Sequence, residues 1–391
     1  MSASTPHLFD VDNHYYEPRD CFTRHLDPRH RANSIQVRRE GDNERIWVGD
    51  EPCRWIDELF GFDRNARPGS LARQLREEFS VGPRDYEEDM QPEYRDRDAR
   101  LALLDQQGIH GTFLFPSLGV CVEPYMAANV EQTYANLHAF NRWLEEDWGF
   151  AYRDRLFSAP MISLLDEKRA TTQVEDLLQR GARVVCLKAG PANGRSPADP
   201  HFDALWARLE EARAVVAIHS GNAGYTGMLS AHWGDDPNPA AHRMSALQWI
   251  TCFADRPIMD TLSALVLQNL FGRFPGLRIL SVENGSLWVP YLMATLDRMV
   301  GMAHNGPWPG GRLSERPSEI FAKHVWVSPF PYDDPEMLVS AIGVNRVTFG
   351  SDFPHPEGME EPAHYARRLS SFSSEDQNRI LFENGRELST P

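Results

Sequence analysis

The sequence predicts an α/β protein, a (β/α)8 TIM barrel with lid insertions after strands one and five. Three observations predict it. Eight short apolar runs are bounded by Gly, Pro, Asn or Asp, helical patterns lie between most of them, and titratable residues stand at the carboxyl ends of five runs. The runs are nearly continuous in apolar residues instead of alternating, as strands of a parallel sheet buried on both faces are.

The predicted strands are His7–Val11, Gly111–Pro116, Leu156–Ile162, Arg183–Leu187, Ala214–Ile218, Arg278–Val282, His324–Val327 and Arg346–Phe349. Apolar residues at helical spacing predict helices over Arg97–Gln107, Glu131–Trp143, Glu167–Arg180, Phe202–Arg213, Asp260–Phe271, Leu287–Met299 and Asp334–Ile342. A doubly wound sheet is the competing arrangement, but the first strand runs into Asp12-Asn13-His14 with no Gly-rich phosphate loop behind it. The steps from strand one to two and from five to six are much longer than one helix needs. The first surplus holds Ser34–Gly49, two β-rich halves around Gly41-Asp42-Asn43 that predict a hairpin. Short helical patterns at Trp55–Phe62 and Ser70–Phe79 follow, then a charged stretch, Arg84–Arg100, expected to be solvated or to lead into a helix. The second surplus, Asn222–Asp260, is rich in Gly, Trp, His and Asp. Both leave the carboxyl ends of strands, where barrel active sites are built. Residues 1–391 are therefore expected to form one domain, with insertions about 15–96 and 222–259 as lids.

Composition narrows the role. The chain has 391 residues with 56 acidic and 40 basic, a net charge of −16, which argues against nucleic acid or an anionic membrane as partner. Its five cysteines, Cys21, Cys53, Cys121, Cys186 and Cys252, are odd in number and widely spaced, so neither a disulfide framework nor a Cys-type zinc site is expected. No basic-then-apolar leader and no long apolar stretch is visible, and the expected location is cytoplasmic.

The strand ends carry the chemistry. Strand one ends in Asp12-Asn13-His14 with Glu17 beyond, strand four in Lys188, strand five in His219, strand six in Glu283 and strand eight in Asp352 with His355 beyond. Asp12 and His14 lie two apart on an extended segment and so face one side. With His219 and Asp352 they make a nitrogen and oxygen donor set suited to zinc, manganese or iron. Glu283 and Glu17 add carboxylates, which favours either two ions or one ion plus an acid/base group. Taken singly, each has a blander reading: His219 as a satisfied core histidine, Asp352 as a helix cap, Lys188 as a cation facing the acidic cluster, His355 and Glu17 as loop residues. Their coincidence at strand ends favours the metal. Gly-x-Ser-x-Gly and His-Glu-x-x-His are both absent.

This order of strand-end residues resembles the amidohydrolase superfamily, specifically its amidohydrolase-related branch. The resemblance implies a distorted barrel with metal ligands from Asp12, His14, His219 and Asp352. Two departures stand out: Glu283-Asn284-Gly285 replaces the catalytic histidine that decarboxylases of the branch carry on strand six, and Lys188 sits where binuclear hydrolases carry a carboxylated lysine. The string from Asp10 to Pro28 is further similar to TIM-barrel nonheme diiron monooxygenases. That likeness implies two irons held by Asp12, His14, Glu17, His219, Glu283 and Asp352, with Lys188 and His355 in catalytic roles. The implied reaction is O2-dependent hydroxylation of a bulky, diterpenoid-like acid carried as a CoA thioester, with an electron donor and possibly a homodimer. The lid aromatics Trp55, Phe60, Phe62, Tyr225, Trp233 and Trp249 are candidates for the apolar wall, and Arg38, Arg39, Arg45, Arg64 and Arg67 for CoA phosphates. The alternatives are a hydrolase or decarboxylase with one Zn or Mn, and a catalytically silent barrel kept for binding.

Overall fold

The computed structural model describes residues 7–57, 68–71, 86 and 90–391. Its central strands pair in parallel throughout. β1 (Leu8–Tyr15) pairs with β5 (Ile109–Pro116), and β5 with β6 (Leu156–Ser158). In a second run, β7 (Met161–Ile162) pairs with β8 (Val184–Leu187), β8 with β9 (Val215–His219), β9 with β10 (Arg278–Val282) and β10 with β11 (Val325–Val327). The predicted strand Leu156–Ile162 is thus two pieces, broken at Ala159-Pro160. Proline has no N–H for a ladder, and here its carbonyl accepts from Cys186 N at 2.9 Å instead. The predicted eighth strand survives only as isolated parallel bridges, Val327↔Val347 and Asp10↔Phe349, which link the β11 side to β1.

Alternation within each strand separates two apolar layers. Phe9, Val11, Phe113, Phe115, Phe157, Val184, Val215, Ala217, Leu280 and Val282 pack together in one cluster. Their sequence neighbours Leu8, Leu114, Leu156, Val185, Val216, Ile218 and Ile279 join the helices in another. Successive strand side chains point to opposite faces, so a sheet with both faces apolar has to be covered on both. The helices do the covering. Arg97–Gln107 starts at Asp96, whose carboxylate accepts from Asp98 N and Ala99 N, and stops at Gly108 with φ 72°. The other predicted helices form at Val130–Asp147, Glu167–Gln179, Asp203–Glu211, Asp255–Leu267, Trp288–Met302 and Pro335–Ile342, shifted by a few residues at their ends.

The predicted hairpin is present: β2 (Ile35–Glu40) pairs antiparallel with β3 (Asn43–Val48), and β3 with β4 (Glu51–Pro52). Gly41, at φ 62°, supplies the positive-φ first position of its two-residue turn. The two long insertions touch each other. Arg54 pairs with Asp236 at 3.2 Å, and Tyr125 Oη accepts from Trp55 N at 3.0 Å while donating to Asn238 at 2.6 Å.

Some sequence expectations fail here. Arg100, at the end of the supposedly solvated charged stretch, is fully buried. Trp233 is 79 % exposed and walls nothing, whereas Trp55 and Tyr225 are buried. Arg38, Arg39 and Arg45 are engaged on their own hairpin, with the Gly49 carbonyl, the Gly41 carbonyl and Glu40 respectively. Phe60, Phe62, Arg64, Arg67 and most of Ser70–Phe79 lie outside the described residues.

Candidate metal centre

β1 is longer than predicted, so Asp12 and His14 lie inside the strand and not after it. Both point to the site because they are two apart. β9 ends on His219. Glu283 and Asp352 stand just past their strand segments at φ 55° each, the left-handed region that side chains avoid at a cost of order 1–3 kcal/mol. That backbone turns both carboxylates toward the same point.

Four donor atoms converge. His14 Nε2 lies 3.4 Å from Asp12 Oδ1, 3.4 Å from Asp352 Oδ1 and 3.1 Å from His219 Nε2. His219 Nε2 is 3.4 Å from Asp12 Oδ1 and 3.6 Å from Glu283 Oε2. Bonds of 2.0–2.1 Å from one ion put tetrahedral ligands about 3.4 Å apart and octahedral neighbours about 3.0 Å apart, so these edges fit a zinc- or manganese-sized ion. The donors also lack alternative partners. Asp12 Oδ1 and His14 Nδ1 are buried without a hydrogen bond. His219 Nδ1 is 2.7 Å from the Ser220 carbonyl, so it carries the hydrogen and leaves Nε2 bare for a metal. Asp12, His14 and His219 form one potential ligand group, and His14, Asp352 and His355 an overlapping one.

The electrostatics are those of carboxylates and imidazoles crowded out of water. Burial and then the neighbouring Asp352 and Asp12 push Glu283 well above the carboxylate range. Burial, with Glu357 and Asp12, does the same to Asp352. Burial opposes ionisation of Asp12 too, but hydrogen bonds from His14 and His219 outweigh it and hold Asp12 below that range. Burial, reinforced by His355, keeps His14 low and hence neutral, as a ligand must be.

Two predicted site residues are not brought into this group. Both oxygens of Glu17 are taken by backbone amides: Oε1 accepts from Leu118 N at 2.9 Å and Gly119 N at 3.0 Å, and Oε2 from Leu118 N at 3.1 Å. Glu17 is a buried clamp on the loop after β5, with its carboxyl pushed up to about 7 by burial. Lys188 Nζ donates to the carbonyls of Ala189 at 3.1 Å and Pro191 at 3.5 Å, and lines a small cavity shared with His219, Ser220 and Glu123.

Sequence reasoning missed the supports beneath the donors. Asp10 is fully buried and accepts from Asp12 N, Asn13 Nδ2, Ser351 N and Ser351 Oγ, tying β1 to the Ser351-Asp352 turn. Arg100 donates to the His14 carbonyl at 2.7 Å, the Glu93 carbonyl at 2.8 Å and Asn13 Oδ1. Gly350 leaves room for Asp12: a Cβ there would meet Asp12 Cβ and Ser328 Oγ at 2.5 Å. Glu357, also missed, joins Glu283 and Asp352 in a third, more exposed acidic group. Asp10 was visible in principle, as the first member of a polar i, i+2, i+4 row on one strand. Arg100 was visible as a charge beside Leu101 and Leu104 in an otherwise apolar helix stripe.

Comparison with known proteins fits this architecture. A family described as amidohydrolase matches residues 9–388, and the chain belongs to that family, whose members are metal-dependent TIM-barrel enzymes. Among solved structures, an amidohydrolase from Mycobacterium avium subsp. paratuberculosis K-10 is 35% identical, covers 99% of this chain and 100% of its own, and superposes with a TM-score of 0.86. A 5-carboxyvanillate decarboxylase from Sphingomonas paucimobilis shares the fold at 16% identity and TM-score 0.65, covering 98% of this chain and 99% of its own. A dihydroxybenzoic acid decarboxylase from Polaromonas sp. JS666, solved with bound manganese and the inhibitor 2-nitroresorcinol, does so at 14% identity and TM-score 0.59, covering 98% and 97%.

Proposed function

We propose that this chain is a one-metal hydrolase of the amidohydrolase family, using zinc or manganese held by Asp12, His14, His219 and Asp352. The observation that carries the proposal is the 3.1–3.4 Å spacing of their donor atoms around one point. When bound, the ion supplies Lewis acidity, polarising a substrate carbonyl and making water easier to deprotonate. The chain's own residues supply the rest. Glu283, whose burial beside Asp352 and Asp12 favours its protonated form, stands 3.6 Å from His219 and is the group placed to give a proton to a leaving group. His355, 2.7 Å from Asp352 Oδ1, is the second proton-handling group. Decarboxylation on the same barrel ranks below hydrolysis because Glu283 replaces the strand-six histidine. Asp10, Arg100 and Gly350 hold the ligands in place.

A second reading, the two-iron hydroxylation of a CoA-linked acid, is favoured by one observation: Glu283, Asp352 and Glu357 offer oxygens within 4.8 Å of one another. It ranks below the one-metal reading because the relatives reported above are amidohydrolases and decarboxylases, none an oxygenase. The test is turnover of a panel of esters, amides and aromatic carboxylates by metal-stripped protein reloaded with Zn or Mn, with and without O2. Hydrolysis or CO2 release that persists without O2 supports the proposal. Turnover that requires O2 and iron overturns it.

A further inference from the structure

Ser117 stands one residue beyond β5, and nothing in the reading above uses it. Its Oγ lies 2.8 Å from the carbonyl of Tyr15 and 2.8 Å from Nε2 of His355. A hydroxyl has one hydrogen to give and lone pairs to receive with, whereas a backbone carbonyl only accepts. The Ser117 hydrogen therefore goes to Tyr15. What Ser117 turns toward His355 is a lone pair, and that 2.8 Å contact is a hydrogen bond only if Nε2 carries a hydrogen.

The ring is held on its other sides as well. Nδ1 lies 2.7 Å from Asp352 Oδ1, a contact with a hydrogen of its own. The ring lies over His14 with centroids 4.0 Å apart and meets Tyr16 at 5.8 Å. Ser117, His355 and Asp352 thus make a chain that looks like the triad of a serine hydrolase, but the surroundings rule out a serine nucleophile. The Ser117 hydrogen is committed to Tyr15, not to the histidine. The next two amides, Leu118 and Gly119, which would have to receive a developing oxyanion, are occupied by Glu17.

We propose that Ser117 is a positioning residue: relayed from the Tyr15 carbonyl, its lone pair keeps a hydrogen on Nε2 of His355 and fixes the plane of that ring. His355 then meets the site as a donor with its orientation set from both nitrogens. This deepens the proposed function, on which it rests only for the proton-handling role of His355.

The test is a long-range 1H–15N correlation spectrum of histidine-labelled protein at one fixed pH, with the His355 signals assigned by their loss in H355Q. The expected spectrum shows Nε2 in the N–H range in the natural protein and in S117T, which keeps a hydroxyl. In S117A the Nε2 signal moves toward the bare-nitrogen range, with metal content and thermal midpoint unchanged, because Ser117 touches none of the four donors. A bare Nε2 in the natural protein overturns the proposal, and this outcome is readable even if S117A does not fold. An unchanged Nε2 signal in folded S117A overturns it equally. Full turnover by H355Q would instead remove His355 from the reaction while leaving the hydrogen placement standing.

Discussion

Replacing Glu17 with Gln separates a loop clamp from a metal ligand. The carboxyl is buried, and burial raises it from 4.5 to about 7 against the opposing pull of the Leu118 and Gly119 amides. Between those two values the folded chain keeps a proton that the unfolded chain has lost. Stability from this group is therefore complete below about pH 4.5 and drains away as pH rises through 7, by at most 1.36 kcal/mol per unit or about 3 kcal/mol in all. Glutamine cannot ionise, and its carbonyl oxygen still accepts from both amides, so E17Q lacks this slope. Denaturant unfolding of both proteins at pH 5, 6, 7 and 8 should give a stability difference that shifts in favour of E17Q by about 3 kcal/mol from pH 5 to pH 8, with metal content unchanged. A difference that stays flat with pH would refute the buried-clamp reasoning. Loss of metal in E17Q would return Glu17 to the ligand set.

Other outcomes follow from the same contacts. R100M strands three acceptors, the carbonyls of His14 and Glu93 and the amide oxygen of Asn13, and should lower unfolding free energy by about 3–5 kcal/mol in denaturant titration, part of the loss being offset because a buried cation is removed too. G350A drives a methyl against Asp12 and should weaken metal binding about 10- to 100-fold, read by competition with a chromogenic chelator. W233A removes a side chain that is 79 % exposed and should change stability by less than about 0.5 kcal/mol and metal content not at all.

Much of this was legible in the sequence because a parallel strand buried on both faces and a polar strand end leave distinct marks. The run from Val184 to Leu187 followed by Lys188, and Val215 to Ile218 followed by His219, announce both the element and its end. What was not legible depends on contacts between distant segments. Glu17 reads as a carboxylate near a ligand pair, and only the fold brings the amides of Leu118 and Gly119 to it. Lys188 reads as a site cation by its place at a strand end, yet its stem carries the ammonium to neighbouring carbonyls. Arg100 looked solvated because charge in sequence usually is; its burial follows from three acceptors that lie as far off as Asn13 and His14. The break at Pro160 and the two-bridge remnant of the eighth strand are backbone details that apolar patterning does not carry.

The central claim is that one ion sits among Asp12, His14, His219 and Asp352. Elemental analysis of the purified protein beside H219A, each grown with zinc, manganese and iron all supplied, tests it most directly. The account predicts close to one zinc or manganese per chain in the natural protein and close to none in H219A. Two irons per chain, or metal retained in full by H219A, would contradict it.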